Sequence, residues 1–188
     1  MSSQHKRENI IWISLIPQII ILVVSMIWIY FIPKDNVLVY FTFSYKKLFI
    51  GVFAGLVIAI SGFLFYKFCE KTKIFYETVE LFEKVMGPIF KDLNLFDILT
   101  LSIVAAFCEE VFFRGLLQQK IGIILASLAF GLLHLPGKKY WIYAVWATGS
   151  GIVLGWLLIY TGSLWVPIIA HASNNIAGMF LLKKVSKK

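Results

Sequence analysis

The feature that most constrains this chain is a succession of apolar runs, each about as long as a bilayer is thick. Ile10 to Ile32 is a mostly apolar run of 23 residues, and a helix needs about 20 residues to cross a hydrocarbon core of about 30 Å. Five more runs follow: Leu48 to Tyr66, Leu93 to Leu117, one from Ile121 and Gly122 that ends at the polar stretch His134 to Lys139, Tyr140 to Tyr160, and Leu164 to Leu182. Lipid offers the backbone no hydrogen-bond partner, so runs of this length are read as helices that satisfy their own N–H and C=O groups. The expected fold is all-α: a polytopic membrane helical bundle of about six transmembrane helices.

His5, Lys6 and Arg7 precede the first run, and Pro33, Lys34 and Asp35 follow it. It exceeds a signal-peptide core and lacks a small-residue cleavage site, so it reads as an uncleaved span. In the second run, Gly51, Gly55 and Gly62 would let a neighbouring helix approach closely. From Lys67 to Lys91 charges are mixed with Ile74, Phe75, Val79, Phe82, Val85 and Met86 at three- and four-residue steps. That is the pattern of an interfacial amphipathic helix, expected to break at Gly87 and Pro88. A polar turn is expected at Gln118, Gln119 and Lys120. The chain thus divides into a two-span region, 1–92, that carries the amphipathic segment 67–92, a helical core, 93–183, and a basic tail, 184–188.

Composition agrees with the runs. Hydrophobic residues make up 60% and charged residues 15%, and the mean hydropathy is +0.83, values of the membrane class. The net charge of +8 does not point to nucleic acid, because the lysines fall between the apolar runs, where basic residues report topology and anionic lipid. The expected partner is the lipid bilayer. With the N-terminus inside, cytoplasmic segments hold 13 lysines and arginines and the opposite side 4, so both termini are expected in the cytoplasm. A short lysine- and isoleucine-rich chain without an organellar targeting signal suggests a multi-pass protein of a bacterial plasma membrane. Cys69 and Cys108 read as free thiols.

Polar residues inside a span are functional candidates, since a charge there costs roughly 2.5–3.5 kcal/mol even on insertion scales. The set comprises Glu109, Glu110 and Arg114 on the third run, His134 on the fourth, and His171, Asn174 and Asn175 on the sixth. Glu110 and Arg114 lie four apart, on one helical face, and can form an ion pair. Glu109 lies about 100° around the helix and is left over. Phe130 and His134 share a face, as do His171 and Asn175. If the third and fourth runs form a hairpin near Ile121 and Gly122, Glu109 and His134 both lie about 18 Å from the turn at 1.5 Å per residue and can meet.

A carboxylate beside an imidazole can activate water, and a second imidazole near a carboxamide can stabilise an oxyanion. Ser102, Ser127 and Thr148 lack motif context, and Cys108, beside Glu109 in sequence, points elsewhere on the helix. Two histidines and a glutamate also resemble a zinc ligand set, although no HExxH is present and three helices would have to converge. The chemistry alone leaves open catalysis, a transporter proton path or a structural polar network.

"EEVFFRG" fits EExxxR, "FGLLH" fits FxxxH and "HASNN" fits HxxxN. In this order and spacing they resemble the family of CAAX proteases and bacteriocin-processing enzymes, also called the Abi or type II CAAX prenyl endopeptidase family, over about Leu95 to Leu182. The resemblance implies an intramembrane endopeptidase. Glu109 and His134 would activate water, and His171 and Asn175 would form the oxyanion site. Glu110, Arg114 and Phe130 would support them. Asn174 is not a motif position. No cofactor is favoured, zinc being the possible one, and the implied partner is a peptide or membrane-protein substrate. Roles in bacteriocin or peptide-signal maturation or in self-immunity accompany the resemblance; the alternative is a non-catalytic membrane immunity or partner-binding protein.

Overall fold

The computed structural model describes residues 3–32, 37–72 and 75–185. Several residues read above lie outside the described ones: Pro33, Lys34, Asp35, Lys73, Ile74, and Lys187 and Lys188 of the tail. Described residues outside the turns are helical, with no strand among them, and the fold is an all-α membrane bundle.

The first two runs become α1 (Ser3–Phe31) and α2 (Tyr45–Thr72). Both are helices of more than 25 residues whose large apolar side chains point outward. Trp12, Ile13, Ile16, Ile20, Phe49, Phe53, Ile60 and Leu64 are all exposed, as suits helices whose solvent is lipid rather than water. With the segment Lys138–Thr161, they are the helices long and apolar enough to cross a membrane among the described residues. The other three expected spans are helical too. They are α5 (Leu95–Glu110) with the turn that continues it, α6 (Gln118–Leu133) and α8 (Trp165–Val185), while α7 (Trp141–Thr161) forms the fifth.

The amphipathic segment differs from expectation in two ways. Its first residues, from Lys67 to Thr72, belong to the end of α2, so the separate helix starts only at α3 (Tyr76–Glu80). Gly87 and Pro88 do not break it either. A wide π turn, Leu81–Met86, leads directly into α4 (Gly87–Phe90), and the Gly87 N–H bonds the Phe82 carbonyl five residues back. Proline clashes with the carbonyl four residues before it in a regular helix; the widened turn just upstream lets the helix continue through it. The inner face carries Thr78, Val79 and Leu81, with Val79 packing beside Tyr66, Cys69 and Val185.

The turn between the third and fourth runs also moves. Gln118, Gln119 and Lys120 are helical, not a loop. Gln118 is buried and donates to the Gly155 carbonyl at 3.1 Å, and Gln119 donates to the Arg114 carbonyl at 3.0 Å. Those bonds let amides sit at the end of an apolar helix pair. The chain reverses at Gly122, whose φ of 78° and ψ of 168° lie in a region open essentially to glycine.

Helix α8 sits at the centre, packed on α2, α5 and α7, while α1 lies along α5 and α6 pairs with α7. Glycines permit several close approaches. A Cβ on Gly55 would come within 2.4 Å of the Ala170 carbonyl oxygen on α8, and one on Gly131 within 1.9 Å of Thr148 Oγ1 on α7. Gly51 likewise faces α8, and Gly62 faces Trp146 of α7, as small-residue packing predicts. Both cysteines are free and buried.

Candidate active site

The charged cluster is built on α5 and the π turn that follows it. Asn94 caps α5 by accepting from the Asp97 N–H at 2.9 Å, while Asp97 accepts from the Asn94 N–H at 2.8 Å. The helix then runs to Glu109 and Glu110 and opens into the π turn Val111–Leu117. Such turns are common where a helix must re-aim side chains at a functional site. The spacing of 110 and 114 survives the widening: Arg114 Nη1 donates to Glu110 Oε1 at 2.6 Å, with the two side chains 1% and 0% exposed.

Glu110 has a second partner that helical spacing does not reveal. His171, arriving from α8, bonds the same Oε1 through Nδ1 at 2.8 Å. A carboxylate only accepts, so Nδ1 carries the proton and Nε2 is turned the other way. Glu110 therefore joins the arginine to the histidine, and the expected closed ion pair is one arm of a three-member network.

Phe130 packs this network from α6. Its ring lies 4.3 Å from the Arg114 guanidinium carbon, 4.3 Å from the His134 ring and 5.7 Å from the His171 ring, centroid to centroid for the rings. Arg114 also donates to the Gly151 carbonyl of α7 at 3.3 Å. A guanidinium held by a carboxylate, a carbonyl and an aromatic face is an arrangement in which a buried cation is tolerated.

The hairpin brings Glu109 and His134 together as the depth argument requires. Phe113 meets Phe130 at 5.1 Å between centroids, and His134 Nε2 lies 3.7 Å from Glu109 Oε2. These pairs are equally spaced about the Ile121–Gly122 turn. His134 ends α6, and its Nδ1 bonds the Phe130 carbonyl at 2.8 Å. A carbonyl also only accepts, so His134 likewise presents Nε2 to the carboxylate. His171 Nε2 lies 3.9 Å from the same Glu109 Oε2.

Those separations exceed a direct hydrogen bond. Glu109 Oε2 is buried and has no partner within the protein, with an imidazole nitrogen on either side. Glu109 Oε1 is occupied, accepting from Gln18 Nε2 of α1 at 2.9 Å. Gln18 was not among the residues singled out from the sequence, although it is a polar side chain inside an apolar run, the signal that marked the others. Asp97 forms a two-pronged ion pair with Arg7 of α1, at 2.6 and 2.8 Å.

Asn175 stands beside His171 on the wall of a small cavity that Phe130, His134, Tyr143, Trp146 and Asn174 also line. A larger apolar cavity of about 450 Å³ adjoins it, sharing Tyr143, Trp146, Asn174 and Asn175. Of the hydroxyl alternatives to Glu109, Ser102 contacts Met179 Sδ and Thr148 bonds the Ala144 carbonyl, while Ser127 Oγ is buried without a partner. Among the described residues, no three His, Cys, Asp or Glu side chains are grouped so as to hold a metal ion. Two of the candidate nitrogen donors are spent on Phe130 and Glu110 through their Nδ1 atoms.

The candidate site residues lie, apart from Gln18, within one recognisable segment. Residues 91–177 match the family model described as type II CAAX prenyl endopeptidase Rce1-like. This segment is similar to that family. Three Bacillus subtilis (strain 168) proteins are similar to the chain. "Uncharacterized protein YpbD" is 39% identical over 83 residues, covering 44% of each chain. "Uncharacterized protein YyaK" is 35% identical over 94 residues, 43% of this chain and 30% of that one. "Putative membrane peptidase YdiL" is 33% identical over 86 residues, 42% of this chain and 34% of its own length. Each likeness thus spans less than half of the relative. No solved structure gives a significant match. In this membrane protein α1 and α2 precede the matched segment.

Proposed function

We propose that this protein is an intramembrane endopeptidase in which Glu109 activates water for hydrolysis of a peptide bond. The carrying observation is the free Oε2 of Glu109, buried and faced by the Nε2 atoms of His134 and His171 at 3.7 and 3.9 Å. A water between these groups finds a base and two further polar contacts.

Glu109, with His134 beside it, takes a proton from water, and the hydroxide adds to the scissile carbonyl carbon. Negative charge develops on the carbonyl oxygen, where His171 Nε2–H and the Asn175 amide donate. His171 suits this role because Glu110 holds its Nδ1 and so fixes where the ring points Nε2. The proton taken up by Glu109 then passes to the leaving amide nitrogen, the C–N bond breaks, and a carboxylate and an amine leave. Glu110, Arg114 and Phe130 position the imidazoles. This route uses no metal ion.

The adjoining apolar cavity, walled by Phe63, Phe82, Phe90 and Trp146 among others, suits an apolar chain next to the scissile bond. A lipid-modified peptide or the membrane segment of a protein would supply one. The lysine distribution supports termini in the cytoplasm of a bacterium. The sequence motifs favour work in bacteriocin or peptide-signal maturation, or in self-immunity.

The test uses the full chain in proteoliposomes with two internally quenched reporters, a prenylated CAAX-type peptide and an unmodified transmembrane peptide. Glu109→Ala and His134→Ala are expected to lose at least about 100-fold in cleavage rate while keeping the parent's thermal unfolding. Chelator treatment is expected to leave the parent's rate unchanged. Cleavage retained by Glu109→Ala would overturn the assignment, and producer-cell protection by that variant would instead favour a binding protein.

A further inference from the structure

The N-terminal helix reaches the reacting carboxylate from outside the Rce1-like segment. Gln18 lies on α1, 91 residues from Glu109, and its Nε2 donates to Glu109 Oε1 at 2.9 Å. The rest of this part of α1 is apolar: Ile16, Ile19 and Ile20 are exposed to the surroundings. A lone carboxamide there is costly unless it bonds something, and the group it bonds is the carboxylate at the centre of the site.

The contact divides the two oxygens of Glu109. With Oε1 fixed by an amide donor, the carboxylate plane is set, and Oε2 is held toward the two imidazoles. A carboxylate free to rotate would spread its charge over several orientations and lose part of its alignment with a water. A second observation concerns the same amide. Gln18 Oε1 is buried without a partner, as is Glu109 Oε2. Two unpartnered acceptors belonging to one hydrogen-bonded pair are what a single water, with two protons to donate, can satisfy.

We propose that Gln18 is the positioning residue of the site, orienting Glu109 through its amide N–H and accepting the second proton of the water through its amide oxygen. The inference rests on Glu109 being the base. It assigns a role in the site to a residue outside the matched segment and makes α1 part of the working site rather than an anchor alone.

Gln18→Met keeps the length and helical preference of the side chain and removes both hydrogen-bonding atoms. In the proteoliposome assay, kcat is expected to fall about 10- to 100-fold, with KM within about twofold because no substrate contact is lost. Thermal unfolding is expected to match the parent. Gln18→Asn, too short to reach, should behave like Gln18→Met.

Dicyclohexylcarbodiimide attacks neutral carboxyl groups and supplies a readout that needs no peptide. Its adduct on Glu109, mapped by mass spectrometry, is expected to form at least about threefold faster in Gln18→Met, since the amide that occupies Glu109 Oε1 is gone and the oxygen stands open to the reagent. Either unchanged kcat or unchanged labelling would overturn the inference. Glu109→Ala, assayed alongside, separates the two failures. Cleavage retained there overturns the peptidase reading itself, whereas cleavage lost there but fully kept in Gln18→Met overturns only the role of Gln18.

Discussion

Glu109 and Glu110 are neighbours in sequence with opposite surroundings. Each has one oxygen bonded and one bare, but Glu110 is fully enclosed and tied through Oε1 to Arg114 and His171, whereas the bare oxygen of Glu109 faces two imidazole nitrogens. Substitutions should separate them. Glu110→Ala leaves the buried Arg114 guanidinium without its carboxylate, a change of about 3–5 kcal/mol for a broken buried pair, visible as a lower unfolding temperature and poor recovery from membranes. Asn175→Ala, at a half-buried position on the cavity wall, should instead lower cleavage by about 100- to 1,000-fold with unfolding unchanged. Much of this arrangement was legible in the sequence. A four-residue step pairs Glu110 with Arg114, and equal distances from a turn pair Glu109 with His134. Gln18 and the His171–Glu110 bond were not legible, because they join helices far apart in the chain, and helical spacing constrains only residues on one helix or its hairpin partner.

At the scale of single elements, length and hydropathy located α7 and α8 to within three residues, whereas α1 begins seven residues before its apolar run and α2 ends six residues after its own. Punctuation was less legible. Gly87 and Pro88 read as a break and the amides at 118–120 read as a turn, yet both lie in helix. Hydrogen bonds from buried amides and a widened turn offset the local preference. The π turn at Val111–Leu117 leaves no trace in composition. The reversal depends on Gly122. Nothing lies within 4 Å of where its Cβ would stand, so Gly122→Ala tests backbone strain without a clash. A loss of about 1–3 kcal/mol is expected, read by chemical unfolding in detergent, with cleavage falling as the hairpin loses register.

For the whole molecule, the distribution of polar contacts matters more than the amount of buried surface. Helix α1 exposes most of its side chains, yet two polar ties reach from it into α5, Arg7 to Asp97 and Gln18 to Glu109. Asp97 is 3% exposed and also caps α5. Asp97→Asn halves the charge complementarity while keeping the shape. It should cost about 2 kcal/mol, the range of a hydrogen bond to a charged group, lowering the unfolding temperature and slowing cleavage as α1 loosens. The membrane class was evident from composition, whereas the central place of α8 was not, since its run resembles the others until its contacts are known. That place bears on how the protein is made. The ribosome releases Gln18 before Glu109 and His134, and His171 and Asn175 after them. A chain whose α8 has not yet emerged lacks the second imidazole and its amide, so under the proposed mechanism a nascent copy is expected to stay inert toward its neighbours until α8 is in place.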